Sequence, residues 1–181
     1  MRKDLGDSCN VASIKLSVHT GTHTDGGFHV ADSGIRPEQM ALEAYLGKAQ
    51  VLDVRGREQL DEDVLVDVDL SKVRRLLLRT RESIEPGSFP ASFAAPTPRL
   101  AHRLVGAGVK LFGSDAPSMD PFDSKTLEAH HILADGGVAT LENLVLSDVA
   151  PGEYWLIALP LKLTEADSSP VRAVLIKGEW A

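Results

Sequence analysis

Ile14, Leu16 and Val18 alternate with Lys15 and Ser17, the two-residue period of a half-buried strand, and this strand would deliver His19. Residues 19–29 then read as a strand end followed by a turning loop, because Thr20-Gly21-Thr22 is poor material for a helix through His19 and His23. Pro37 suits the start of a short helix over residues 38–46, with Gly47 placed to end it. The apolar runs at 51–54 and 73–78 predict strands. Between them, residues 61–69 alternate acidic and apolar side chains, as a surface segment would. Residues 85–98 contain Pro86, Pro90, Pro96 and Pro98, which predicts a long loop of the kind that serves as a lid or binding loop.

Thr97 and Pro98 then supply the N-cap and first residue of a helix whose apolar face is Leu100, Ala101 and Leu104, stopped at Gly106. Residues 109–112 predict the next strand, and the turn at 113–117 lies where α/β proteins commonly place functional groups. Asp123 and Ser124 can cap a helix running to about residue 133, closed by Asp135-Gly136-Gly137. Residues 138–146, 154–161 and 171–176 are apolar enough to be core strands. Strands thus alternate with two to three helices and then follow one another directly. The pattern predicts a mixed α/β fold, in one domain over residues 1–181, without internal repeat or linker.

Composition narrows the partners. At 181 residues, 43% hydrophobic and 25% charged, the chain can bury a proper core. A net charge of −7 argues against nucleic acid. With Cys9 as the single cysteine, neither an intrachain disulfide nor a thiolate metal site is available. No apolar run is long enough to cross a bilayer and Met1-Arg2-Lys3-Asp4 leads into no signal-peptide core, so no membrane role and a cytoplasmic location are expected.

The chemistry is concentrated in His19-Thr20-Gly21-Thr22-His23-Thr24-Asp25-Gly26-Gly27-Phe28-His29, which holds three of the six histidines. His19, His23 and Asp25 offer two imidazoles and a carboxylate, the ligand set of zinc and its first-row neighbours, with room for water. Asp25, with two oxygens, could bridge two ions. His29 could be a fourth ligand or a free general base; spacing does not choose. Of His130 and His131, adjacent on the expected helix, one would face such a site. Glu142, a charge among Thr140, Leu141 and Leu144, is either a distant ligand or an edge-strand surface carboxylate. His102, Asp32, Asp61 and Asp63 read as surface residues and Cys9 as a spare thiol. Neither a Gly-x-Ser-x-Gly elbow nor a phosphate-binding glycine loop is present.

His-x-Gly-Thr-His-x-Asp, with His four residues on, resembles the signature of the cyclase-like metal hydrolases, a family that includes the bacterial kynurenine formamidases. The likeness continues through Gly113-Ser114-Asp115-Ala116-Pro117-Ser118-Met119-Asp120, Ser124-Lys125-Thr126-Leu127-Glu128-Ala129-His130 and Leu141-Glu142-Asn143-Leu144-Val145-Leu146. It extends to Leu156-Ile157-Ala158-Leu159-Pro160-Leu161 and Ser169-Pro170-Val171-Arg172-Ala173-Val174-Leu175, and so covers roughly residues 10–176.

The resemblance implies a swivelling β/β/α fold, a homodimer and two divalent metal ions, usually zinc. His19, His23 and Asp25 would bind one ion, Asp25 would bridge to the second, His130 and Glu142 would complete the set with Glu142 also touching both ions, and His29 would carry the proton. The implied reaction is hydrolysis of an aryl formamide, N-formyl-L-kynurenine, to L-kynurenine and formate in tryptophan degradation, with Phe89 and Phe93 flanking the aromatic substrate. Hydrolysis of another aryl or cyclic amide, as in isatin-hydrolase-like relatives, and a catalytically impaired metal-binding remnant are the alternatives. Two departures stand out. The family usually carries alanine–proline or a similar pair where this chain has Gly26-Gly27. It also has some tens of residues, including a Trp-Pro-Gly-Asp-like stretch, ahead of the point where this chain begins, so that N-terminal segment is expected to be lacking.

Overall fold

The structure, a computed structural model, describes residues 1–85, 87 and 89–178. Its elements in chain order are β1 (His23–Asp25), β2 (Leu46–Asp53), β3 (Gln59–Leu60), β4 (Arg75–Arg79), β5 (Ala95–Pro96), α1 (Pro98–Gly106), β6 (Leu111–Ser114), α2 (Glu128–Asp135), β7 (Ala139–Leu141), β8 (Gly152–Ile157), β9 (Ser168–Pro170) and β10 (Val174–Ile176).

Leu76, Leu77 and Leu78 of β4 are all fully buried, as a strand covered on both faces requires. β4 accordingly lies inside a six-stranded sheet of order β10-β8-β2-β4-β6-β7. β2, β4, β6 and β7 run parallel; β8 is antiparallel to β2 and β10 to β8. The two-residue alternation divides the core. Leu76, Leu78 and Phe112 pack with Leu100, Ala101, Leu104 and Leu133 of the two helices, whereas Val51, Leu77, Leu111 and Leu141 pack with Tyr45 and Leu156 on the other face. Each such Leu contributes about 1.5–3 kcal/mol through burial. Small two-stranded sheets, β1 with β9 and β3 with β5, flank the main one. This is the mixed α/β architecture expected. Among the described residues no helix is long and apolar enough to cross a membrane.

α1 forms as its sequence dictates, with Thr97 Oγ1 accepting from Leu100 N–H at 3.2 Å, Pro98 in the first turn, and Leu100, Ala101 and Leu104 buried. Elsewhere tertiary contacts override local pattern. Residues 14–18 are not a strand: Ile14 is 84% exposed, and no partner pairs with this segment among the described residues. Instead of a helix over 38–46 there are two 3-10 turns, Pro37–Gln39 and Leu42–Tyr45, and Leu46 already begins β2. The Arg75 guanidinium hydrogen-bonds the carbonyls of Glu43, Ala44 and Lys48, which cuts the turn short, and Gly47 sits inside β2 at φ +133°. The 61–69 segment keeps its acids outside but inserts Val64 and Leu65 into the core.

α2 begins at Glu128, later than Asp123 and Ser124 suggested, because Asp120 reaches across to accept from the N–H groups of Ala129 and His130, each at 3.0 Å. The strands expected at 138–146, 154–161 and 171–176 are real but shorter, and β9 was not foreseen. Pro86 and Ser88 of the expected 85–98 loop lie outside the described residues.

Candidate metal centre

Strand periodicity places His23 and Asp25 of β1 on one face and turns Thr24 to the other, where its hydroxyl bonds Tyr45 at 2.8 Å. Gly21, at φ +68°, bends the preceding segment so that its carbonyl accepts from His23 Nδ1–H at 2.9 Å. That contact leaves His23 Nε2 as the free donor nitrogen. His19, from the turn before, puts Nδ1 3.2 Å from Asp25 Oδ1. Glu142 arrives through the backbone: immediately after β7 it pairs with His23 in an antiparallel bridge. Its carboxylate lies 3.2 Å from His23 Nε2 and accepts the Met119 N–H at 2.8 Å. His130, in the first turn of α2, points inward with Nε2 3.1 Å from Glu142 Oε1 and 3.6 Å from Asp25 Oδ2, while Asp120 accepts from its Nδ1–H at 2.6 Å.

The structure therefore brings together all six residues singled out by sequence: His19, His23, Asp25, His29, His130 and Glu142. His131 and His102 line a separate surface hollow, and Cys9 is exposed. His29 ends a 3-10 turn, Gly27–His29, its ring 4.7 Å from that of His19 and 5.7 Å from that of His130. Gly26 permits this approach, since a Cβ there would stand 2.5 Å from the Ile35 carbonyl oxygen. Beside His29 opens a cleft of about 100 Å³, walled by Met40, Ala41, Ala44, Tyr45, Val138 and Ala139. Phe89 and Phe93 are not in its lining; Phe89 packs on Phe93 and on Phe122, the ring centres 6.0 and 5.7 Å apart.

Sequence reasoning missed Asp167, whose Oδ2 accepts from both His19 Nε2 (2.7 Å) and His29 Nδ1 (3.0 Å). An acid just ahead of Ser168-Ser169-Pro170 was the only trace of it. Asp120 was visible only within the family-like stretch.

The charges are tightly balanced. Burial opposes ionisation of Asp25, yet His130 and His19 hold its carboxyl far below the usual carboxylate range. The Asp25 carboxylate, against the effect of burial, pushes His19 up to about 9. Burial works against protonated His130 too, but Asp120, Asp25 and Glu142 push it up to about 11. His23 is raised in the same way, with Glu142 and Asp25 outweighing burial.

At this centre, His23 Nε2 and both oxygens of Asp25 are nevertheless buried without a well-aligned hydrogen bond, and only ion-pair contacts of 3.2–3.6 Å with Glu142, His19 and His130 meet them. Burying a carboxylate with incomplete hydrogen bonding is costly, and a cation at that point would lower the cost. His19, His23 and Asp25 each offer a ligand atom within 4.8 Å of the others, and Asp25, His29 and His130 form an overlapping set. The residues present thus fit a metal ion. Nitrogen and oxygen donors without thiolate suit a first-row divalent metal.

Fold and centre together define a cyclase-like metal hydrolase. Residues 4–121 match the family described as "Putative cyclase", and the chain belongs to that family. Its relatives there include kynurenine formamidases. That of Bacillus cereus is 43% identical over 173 residues, 96% of this chain and 83% of the relative. That of Salinibacter ruber is 42% identical over 176 residues, again 96% and 83%. A solved structure described as a potential metal-dependent hydrolase with cyclase activity superposes with TM-score 0.85 at 28% identity, over 92% of this chain and 83% of the other. Isatin hydrolase A from Labrenzia aggregata shares the fold, with TM-score 0.78 at 23% identity over 92% of this chain and 76% of that one.

Proposed function

We propose that this chain is a metal-dependent arylformamidase that hydrolyses N-formyl-L-kynurenine to L-kynurenine and formate in tryptophan degradation. The observation that carries the reading is 43% identity to a kynurenine formamidase over 96% of the chain. The convergence of His19, His23, Asp25, His130 and Glu142, with His29 beside them, next to an apolar cleft supports it. His19, His23 and Asp25 would hold one divalent ion, and His130 and Glu142 a second, with Asp25 between them. The two oxygens of Asp25 facing different histidines favour that division, and the donor set favours zinc.

Bound divalent ions supply polarisation of the formyl carbonyl and a water that ionises near neutral pH. The protein does the rest. The apolar walls of the cleft take the aromatic ring and exclude bulk water. His29 accepts a proton as the water oxygen bonds to the formyl carbon, and returns it to the anilide nitrogen as the carbon–nitrogen bond breaks. Formate and the free aryl amine leave. The reading includes one domain over residues 1–181 and a cytoplasmic homodimer; side chains left exposed, among them Ile14, Leu16 and Leu161, are candidates for the subunit contact.

Purified protein is given N-formyl-L-kynurenine and, in parallel, isatin. Product absorbance at the longer wavelength of kynurenine is the expected result. Turnover of isatin alone would move the assignment to cyclic amides, and metal bound without either turnover would make the chain a metal-binding protein.

A further inference from the structure

Asp167 has no part in the reaction as just described, yet three contacts tie it to His29. Its Oδ2 accepts from His29 Nδ1–H at 3.0 Å. Its backbone carbonyl accepts the Gly26 N–H at 2.8 Å, and the Gly26 carbonyl in turn accepts the His29 N–H at 2.9 Å. The contacts close a ring that runs from imidazole to carboxylate, through the main chain of Asp167 and Gly26, and back to His29. The ring is anchored. Ser168, the next residue, starts β9 opposite Asp25, and its hydroxyl donates to the Thr24 carbonyl at 2.9 Å. Asp167 cannot drift relative to β1 without breaking that pairing.

An imidazole with a carboxylate on one nitrogen keeps its hydrogen there and offers the other nitrogen as base. His29 Nε2 has no hydrogen bond among the described residues. From these contacts we infer that Asp167 is a positioning residue: it fixes His29 with the hydrogen on Nδ1 and leaves Nε2 to take the proton of the attacking water. The inference rests on the proposed role of His29. Because Oδ2 also accepts from His19 Nε2 at 2.7 Å, the competing assignment is that Asp167 serves His19 alone.

The test uses full-length protein with zinc added to saturation. Asp167→Ala is expected to lower kcat about 10–100-fold with KM and metal content little changed. Asp167→Asn, whose amide oxygen can still accept from Nδ1–H, is expected to recover part of the rate. Nitrogen-15 NMR of the histidine rings should show His29 protonated on Nδ1 in the unsubstituted protein and no longer fixed so in Asp167→Ala. Should Asp167→Ala not fold, Asp167→Asn is read by the same measurements, with a smaller loss. An unchanged kcat overturns the inference, as does a rate loss that only follows lost metal. If the unsubstituted protein does not hydrolyse N-formyl-L-kynurenine, the proposed function falls and the His29 tautomer alone decides the role of Asp167.

Discussion

The backbones of His23 and Glu142 are paired in both directions: His23 N–H donates to the Glu142 carbonyl at 3.2 Å and Glu142 N–H to the His23 carbonyl at 3.0 Å. Main-chain register therefore brings two side chains distant in sequence together, and the bonds from His23 Nδ1–H to the Gly21 carbonyl and from Met119 N–H to Glu142 then fix their orientation.

Two substitutions in the opening motif should separate. His23→Ala removes a buried donor nitrogen and is expected to lose metal and turnover together. His29→Ala is expected to keep its metal and lose about 10²–10⁴ in rate, the usual share of a general acid–base. Metal analysis beside steady-state kinetics checks both; unchanged turnover in the pair would remove the roles proposed for His23 and His29.

Chelation should loosen the fold. Without a cation the Asp25 oxygens and His23 Nε2 stay buried with ion-pair contacts but no well-aligned hydrogen bond. The thermal midpoint is expected to drop on chelator treatment and recover with zinc, the stability regained being about 2.7 kcal/mol per site at a hundredfold excess over Kd. Calorimetry in matched buffers makes the comparison.

Tyr45 gives a pH dependence. Burial pushes its phenol up to about 12, although the Thr24 hydroxyl partly offsets this. The folded value is raised, so this contribution to stability is fully present below about pH 10, the ordinary tyrosine value, and is lost as pH rises towards 12. Phenolate absorbance should show one of the two tyrosines still protonated well above pH 10, and Tyr45→Phe should remove that late step.

Gly34 packs directly on the turn that carries His29. A Cβ there would lie 2.0 Å from the Gly27 carbonyl carbon and 2.3 Å from the Phe28 nitrogen, both backbone atoms that cannot yield separately. Gly34→Ala is expected to cost about 1–3 kcal/mol, as overpacking does, and to lower kcat by displacing His29. Denaturant unfolding and kinetics measure the two effects.

Sequence exposed most of the centre because its chemistry is locally dense: His19, His23, Asp25 and His29 sit within one short stretch. Glu142 stood out as a charge among apolar neighbours, though only family likeness made it a ligand. The parallel strands were legible as apolar runs, and α1 through Thr97 and Pro98. What failed depended on distant partners. Residues 14–18 have a strand's alternation but, among the described residues, no strand that pairs with them backbone to backbone; only the Ser168 hydroxyl of β9 reaches the Val18 carbonyl. The helix expected over 38–46 yields to carbonyl contacts with Arg75, and the cap of α2 is Asp120, outside any local capping pattern. Asp167 carries no periodic or compositional mark, and its meaning lies wholly in the fold that sets it against His19 and His29.

The pairing of β1 with β9 also orders events in time. Thr24 and Ser168 are bonded across 144 positions of sequence, so the strand holding His23 and Asp25 cannot settle until nearly the whole chain is available. Closing so long a loop is slow compared with forming α1 or α2. During synthesis the His19–His29 segment emerges well before Glu142 and Ser168, with which it pairs in the fold. A metal ion that needed the full proposed donor set, Glu142 and His130 included, would be captured only after those distant partners had left the ribosome.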